Sequence, residues 1–449
     1  MSASQLLDRR PVEAIQTDVL VVGGGAAGLA AACTAARQGL KVTLLERYGF
    51  CGGAAVAGLS GTVCGLYLAR PGAAGAPEKV VFGFVDEFIA TMQRRNGLTA
   101  PVRYGDTYTL VHEPHAWRET ADELIERHAV NVLFHATVIG VHVEGGERVA
   151  GVRAYTKQGA LDVRARITID ASGDADVFAM AGLPTTVGAD GRVQNPTMIF
   201  RIGDVDVERF LATYGPDSIM PGSVSEAIVA ANAAGRYRLP RAKVFLFPTP
   251  RGHELLCNAT RVIGRDGREL HPLVAADLSE AEIEGRRQVR EYVGFFREHL
   301  AGCENAHLVD TGVQVGVRQT RQIVGLKTLA NADVESGRKR ADAIARSPWP
   351  IELHSGNKPR LSWLHDDTYD VPFGCFVPQR GESILAAGRC LSAQHEAMAS
   401  ARVTAQCFSY GHAMGHAAVL AVRERLGVRE IQAADVRRLL TQDGVRFDG

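Results

Sequence analysis

At 449 residues, with 50 Lys and Arg against 50 Asp and Glu, the chain is long enough for two or three domains and carries no net formal charge. It has no basic stripe interleaved with aromatics, so the charge pattern makes no case for a nucleic acid or a membrane surface and points to a small-molecule partner. The 8 cysteines are scattered without CxxC pairs, which suits a reducing compartment and an expected cytoplasmic location.

The first predicted elements lie between Asp18 and Glu46, DVLVVGGGAAGLAAACTAARQGLKVTLLE. Val19 to Val22 form a β-branched apolar run suited to a buried parallel strand. Gly23, Gly25 and Gly28 follow with GxGxxG spacing, and Ala26 and Ala27 open an alanine-rich helix. Such glycines allow a tight turn, close backbone approach to a pyrophosphate at the positive helix end, and close helix–sheet packing. Glu46 ends the second strand at the right distance to hydrogen-bond a ribose hydroxyl, so the segment reads as a dinucleotide site. Val19 to Ala36 is uncharged and about as long as a membrane span, but three adjacent glycines and the lack of an aromatic belt exclude that reading. Arg9 and Arg10 resemble a signal n-region, yet the apolar core behind them would have to be the glycine turn itself.

After Glu46 the chain continues ERYGFCGGAAVAGLSG. Gly52 and Gly53 would let backbone pass close to a ribityl chain or pyrophosphate, which a plain NAD domain does not require. Arg70 to Lys79, RPGAAGAPEK, reads as a mobile loop over an opening. HEPH at His112 to His115 lacks the HExxH spacing and a third ligand, so it reads as a loop entering a proline-started helix, and no metal is implied. His128 to Val143 reads as a strand pair, and a β-rich run then enters Asp170 and a turn at Ser172-Gly173-Asp174. Lys243 to Phe247 and Leu255 to Val262 look like strands, and Ser279 to His299 like an amphipathic helix. ESILAAGR then predicts a strand ending near Gly388, followed by a loop and a long small-residue helix from about Arg402.

These blocks resemble the FAD-dependent oxidoreductases of the glutathione-reductase-like superfamily, related to succinate dehydrogenase and fumarate reductase flavoproteins. The likeness runs almost the whole length and includes GVRQTRQIVGLKTL from Gly316, DAIARSPWPIELH from Asp342 and YDVPFGCFVP from Tyr369. It implies FAD as cofactor, with contacts from the glycine turn, Ala26, Ala27, Glu46, Arg47, Gly52 and Gly53. Further contacts are implied at Val138, whose backbone would face adenine, and at Asp174 in DASGDAD. The late ones are Gly388, Arg389, Arg402 and Val403, where helix N-terminal amides would face the flavin pyrimidine carbonyl. Arg389 departs from the fumarate reductase relatives, where an acid commonly follows the glycine. The fold expected is α/β: a Rossmann-like FAD-binding domain from residues 15–190 and 372–425, an inserted α+β substrate domain over 191–371, and a C-terminal extension over 426–449.

Three residues are candidates for the chemistry, each with a structural alternative. His395, in the loop after AAGR, would sit above the flavin ring as a proton acceptor, or simply bond a loop carbonyl. Arg318 and Arg321 would share a helix face or flank a turn, binding a carboxylate or pairing with an acid such as Asp333 or Asp342. His354 would point into the cleft between domains or be a satisfied core histidine. Cys51 and Cys64 lack the spacing of a redox dithiol. The function expected is a dehydrogenase or oxidase taking hydride from a small organic substrate, because no second dinucleotide fingerprint follows the first. An NAD(P)H-dependent flavin monooxygenase or reductase and a non-catalytic flavin subunit are the alternatives, and a homo-oligomer is left open.

Overall fold

The computed structural model describes residues 14–354 and 359–447, so Arg9 and Arg10 lie outside the described residues. Strand β1 (Ile15–Val22) leads through the glycine turn into helix α1 (Ala26–Arg37) and strand β2 (Val42–Leu45). Next come β3 (Asn131–Leu133), β4 (Thr137–Glu144), β5 (Arg148–Thr156) and β6 (Gly159–Asp170). The last four residues of β1 are buried because parallel neighbours flank both edges, Val19 opposite Val42 on one side and Ile167 on the other. The sheet order is β3-β2-β1-β6-β5-β4. The two strands expected over 128–143 exist but do not pair with each other: β3 joins β2 at the edge, whereas β4 forms a hairpin with β5.

A four-stranded antiparallel sheet stands apart from this layer. It consists of β7 (Phe200–Gly203), β8 (Phe245–Pro248), β9 (Leu255–Asn258) and β10 (His307–Thr311), in the order β8-β9-β7-β10. Helix α2 (Ala275–His299) starts one turn earlier than expected and buries Ala281, Val289, Tyr292 and Phe296, a helical stripe, against one face. The period of two in β9 serves both faces. Leu255 and Cys257 join the core under α2, while Leu256 joins Phe245, Phe247, Tyr104, Trp349 and Val403 at the contact with the nucleotide layer. This module's own core runs from Met198 to Val315. Leu329, Ile344, Ile351 and Tyr369 pack in the first core.

The chain returns as β11 (Ile384–Ala386), which lies parallel to the last residues of β6. One long helix was expected from about Arg402. Instead α3 (His395–Ala401) is separated from α4 (Thr404–Glu424) by extended backbone at Val403, whose ψ is 165°. Small residues bring α4 onto α1: a Cβ on Gly411 would lie 1.9 Å from the Ala27 carbonyl oxygen, and one on Gly415 2.8 Å from that of Ala31. The final helix is α5 (Ala433–Gln442), not α4, and its Val436 and Leu440 join the nucleotide-domain core.

Two local expectations resolve differently from each other. The Arg70–Lys79 segment is tied down, with the Tyr108 hydroxyl donating to the Ala73 carbonyl at 2.9 Å and Arg70 paired to Asp366 at 3.0 Å. It does not line the nucleotide cleft. HEPH behaves as read: Glu113 caps a helix over Pro114–Arg127 by accepting the Ala116 amide at 2.8 Å. No helix among the described residues is long and apolar enough to cross a membrane.

Candidate functional site

A cleft of about 1340 Å³ opens at the carboxyl ends of β1, β2, β6 and β11, where an open parallel sheet places its ligands. Gly23 makes the turn with φ +99°, and a Cβ there would lie 2.5 Å from the Ala171 carbonyl oxygen. Gly25, at the N-cap of α1, lines the cleft with Ala26 and Ala27, so the first-turn amides and the positive helix end are available to an anion. A Cβ on Gly25 would meet nothing nearer than the Gly53 Cα at 3.7 Å, which leaves an open cradle between two glycine backbones. Gly52 and Gly53 also line it.

Glu46 is 4% exposed, and its carboxylate accepts the Gly24 amide at 2.6 Å and the Tyr48 amide at 2.9 Å. Burial raises its pKa against these hydrogen bonds. It therefore holds the glycine turn as well as facing the cleft. Arg47 donates to Gln314 Oε1 at 2.9 Å, and the Tyr48 hydroxyl bonds the same oxygen, bringing a residue of the inserted module to the cleft. Val138 lines the same end with Ala136 and Thr137.

Gly388, Arg389, Arg402, Thr404 and Cys407 line the other end. Thr404 begins α4, so that helix turns its amino end toward the cleft. Burial pushes the Cys407 thiol up to about 12, which keeps it protonated at neutral pH. Arg402 is desolvated, its Nε has no hydrogen-bond partner among the described residues, and its Nη2 reaches only Gln194 Oε1 at 3.4 Å. The open cradle, the helix end and this unpartnered donor fit a pyrophosphate-linked dinucleotide whose far end carries a hydrogen-bond acceptor.

The chain belongs to the FAD dependent oxidoreductase family. The family's sequence model matches residues 18–440. No curated protein matches the sequence. Among solved structures, a geranylgeranyl bacteriochlorophyll reductase-like protein from Thermoplasma acidophilum is 15% identical, with a TM-score of 0.50 over 97% of this chain and 94% of that one. A p-nitrophenol 4-monooxygenase from Pseudomonas putida is 13% identical, with a TM-score of 0.48 over 96% and 86%. The likeness to the Thermoplasma acidophilum protein speaks for the fold alone, a Rossmann-like FAD-binding domain carrying an inserted module. The enzyme's cofactor is FAD, and the residues of the cleft fit it.

Three expected FAD contacts do not line the cleft. Gly28 is a packing position, since a Cβ there would lie 1.7 Å from the Gly23 carbonyl oxygen. Asp174 accepts from Thr320 Oγ1 at 2.6 Å and Arg389 Nη2 at 2.9 Å, so it orients Arg389. This pair also accounts for an arginine where relatives carry an acid: its counter-charge is supplied by Asp174. Val403 turns its side chain into the apolar cluster under the inserted sheet.

The chemical candidates separate. His395 begins α3, half-buried, outside the lining of the cleft, in the field of Glu396, Arg192 and Glu269. Arg318 and Arg321 share no helix. Arg321 pairs with Asp176 at 2.9 Å, whereas Asp333 binds Arg338 and Arg340, and Asp342 binds Lys327. Arg318 has no carboxylate partner among the described residues and donates to the Asn195 carbonyl at 2.8 Å. It lines a second, much smaller hollow, with room for about one water molecule, together with His354, Arg241, Arg261, Asn195 and Thr260.

His354 is 8% exposed, and its Nε2 lies 2.8 Å from Glu352 Oε1, which also accepts the Tyr104 hydroxyl at 2.9 Å. Burial, and then the Arg318 charge, pull the His354 pKa well below its usual value, so the ring is neutral. Nε2–H therefore donates to Glu352, and Nδ1 keeps its lone pair. Glu352 was missed from the sequence, although it lies only two residues before His354, on a strand that ends at Leu353. Arg241 and Asn195 have no local signal, because their neighbours come from distant segments.

All cysteines are free, and Cys51 and Cys64 form no pair. One group of potential metal ligands occurs among the described residues, His412, His416 and Asp443, away from the cleft. Both imidazole Nε2 atoms lie 2.7 Å from Asp443 Oδ2, and Arg37 pairs with the same oxygen, so a guanidinium supplies the positive charge there.

Proposed function

We propose that the protein is a flavin dehydrogenase or oxidase that takes hydride from a small organic substrate at a CH–OH, CH–NH or CH–CH bond. The observation that carries this reading is the buried His354–Glu352 pair, a neutral imidazole with a free Nδ1 beside a small hollow that the inserted module also lines. FAD, when bound, accepts the hydride and with it two electrons.

The chain's own residues handle the remaining proton. His354 Nδ1 takes it from the substrate oxygen, nitrogen or adjacent carbon, while Glu352 stabilises the imidazolium that results. Tyr104, donating to Glu352, keeps that carboxylate in place. Arg402, at the junction, offers positive charge to the electron-rich end of the reduced cofactor.

Anaerobic absorbance spectra of the purified holoprotein test this reading. Bleaching of the flavin band by an alcohol, amine or acid, but not by NADH or NADPH, is the expected result. Bleaching by a reduced nicotinamide alone would overturn it in favour of a monooxygenase or reductase.

A further inference from the structure

The stretch that leaves the inserted module returns to the FAD cleft with its backbone pinned on several sides. Gly312 donates its amide to the Ile199 carbonyl at 3.0 Å, Gln314 donates its own to the Ala57 carbonyl at 3.1 Å, and the Val315 amide donates to Glu282 Oε1 at 2.7 Å. A Cβ on Gly312 would lie 3.0 Å from the Ala57 carbonyl oxygen, so the module meets the nucleotide domain here backbone on backbone. Val315 is buried in the module's core, whereas Gln314, one residue earlier, lines the cleft beside Arg47 and Tyr48.

Its partners fix which way the Gln314 amide faces. A guanidinium only donates, so the atom 2.9 Å from Arg47 Nη2 is the oxygen, Oε1, and the Tyr48 hydroxyl donates to the same atom. Two donors fill the two lone pairs of that oxygen. The Nε2 group makes no hydrogen bond among the described residues, and it is left with two protons on a side chain that lines the cleft. Tyr48 is held in place from behind. Its ring stacks on Phe50, with centroids 5.4 Å apart and planes 7° apart, and guanidinium groups flank the pair, Arg47 at 5.0 Å from the Tyr48 centroid and Arg118 at 4.3 Å from that of Phe50.

Arg47 and Tyr48 directly follow Glu46, the acid that closes β2 where the ribose of an adenosine sits. We propose that Gln314 is the inserted module's hold on the cofactor: its Nε2 donates to the adenosine half of FAD, while its Oε1 ties that contact to Arg47 and Tyr48 of the nucleotide domain. The adenosine half offers ring-nitrogen, hydroxyl and phosphate acceptors, and the flavin ring lies at the far end, near Arg402. FAD leaves only when this link opens, so the module latches the cofactor in place. The latch is independent of which substrate bond is oxidised.

Release of FAD from the diluted holoprotein, followed by recovery of free-flavin fluorescence, tests this. One net hydrogen bond corresponds to about two- to tenfold in such a rate. Gln314→Ala, which removes three, is expected to speed release about tenfold. In Arg47→Met the Tyr48 hydroxyl still holds Oε1, so adding Gln314→Ala to that variant is expected to speed release at least threefold further. The wavelength and shape of the bound-flavin band are expected to stay parental throughout, because the changes lie at the adenosine end. A parental release rate for Gln314→Ala would overturn the proposal. Equal rates for Arg47→Met and the double variant would do so too, since Gln314 would then act only by placing Arg47. A shifted flavin band accompanying faster release would also overturn it, because a general loosening of the module disturbs both ends of the cofactor.

Discussion

A methyl group on Gly28 would stand 1.7 Å from the Gly23 carbonyl oxygen, so these two residues are in backbone contact. Gly25, between them in sequence, has φ −69° and open space where its side chain would be. Gly25→Val is therefore expected to fold with a near-parental apo melting temperature and to lose FAD, because the branched side chain fills the pyrophosphate cradle. Gly28→Val should fail to fold. Visible absorbance and circular dichroism distinguish the two, and a yellow Gly25→Val protein would contradict this account of the cradle.

His354→Gln removes the free Nδ1 while leaving a donor for Glu352. FAD should stay bound, and anaerobic reduction by substrate should slow by about 10²-fold. The pH dependence has a defined sign. A base with a depressed pKa stays neutral as pH falls through 6.5, so the acid limb of kcat/KM belongs well below that value. Arg318→Met removes a neighbouring positive charge and should move this limb upward. A limb at 6.5 or above in the parent enzyme would exclude His354 as the proton acceptor.

Arg402→Met should retain FAD through the glycine cradle yet lower the two-electron midpoint potential by tens of millivolts, about 30 mV for each 1.4 kcal/mol of lost interaction with the reduced cofactor. Redox titration measures this directly. An unchanged potential would mean that Arg402 does not face the flavin.

Asp443 joins α5 to α1 and α4 through Arg37, His412 and His416. Burial holds the His412 pKa down to about 4, against 6.5 in an unfolded chain. Between these values the unfolded state binds the extra proton, so stability rises with pH across the window, by up to about 3 kcal/mol from this group. Asp443 is itself held below its ordinary range, by hydrogen bonds to both histidines that outweigh its burial, and its contribution is lost as pH falls below 3.8. Melting temperature against pH should show this climb, and Asp443→Ala should lower the whole curve by several degrees.

The nucleotide half was legible from Asp18 to Glu46 because strand period, glycine spacing, helix composition and the closing acid all agree over one short stretch. Helix α2 was legible for the same local reason. The pairing of β3 was not, since its partner β2 lies about 90 residues earlier and no local pattern encodes that distance. Arg318 and Arg321 suggested a shared helix face by spacing, but this stretch forms a strand at Arg321–Ile323, and their partners Asn195 and Asp176 are far away in sequence. Arg241 gave no sign at all. Folding alone brings it beside Arg318.

The FAD cleft draws its walls from Gly23 near one end of the described chain and from Cys407 near the other. During synthesis the inserted module, whose core is complete by Val315, can fold on the ribosome long before the cleft exists. Until β11 and α4 emerge, β6 has an open edge and α1 lacks the small-residue face of its partner helix. Cofactor capture is thus a late event in the life of each molecule, and a chain stalled before Gly388 would present an exposed strand edge instead of a flavin site.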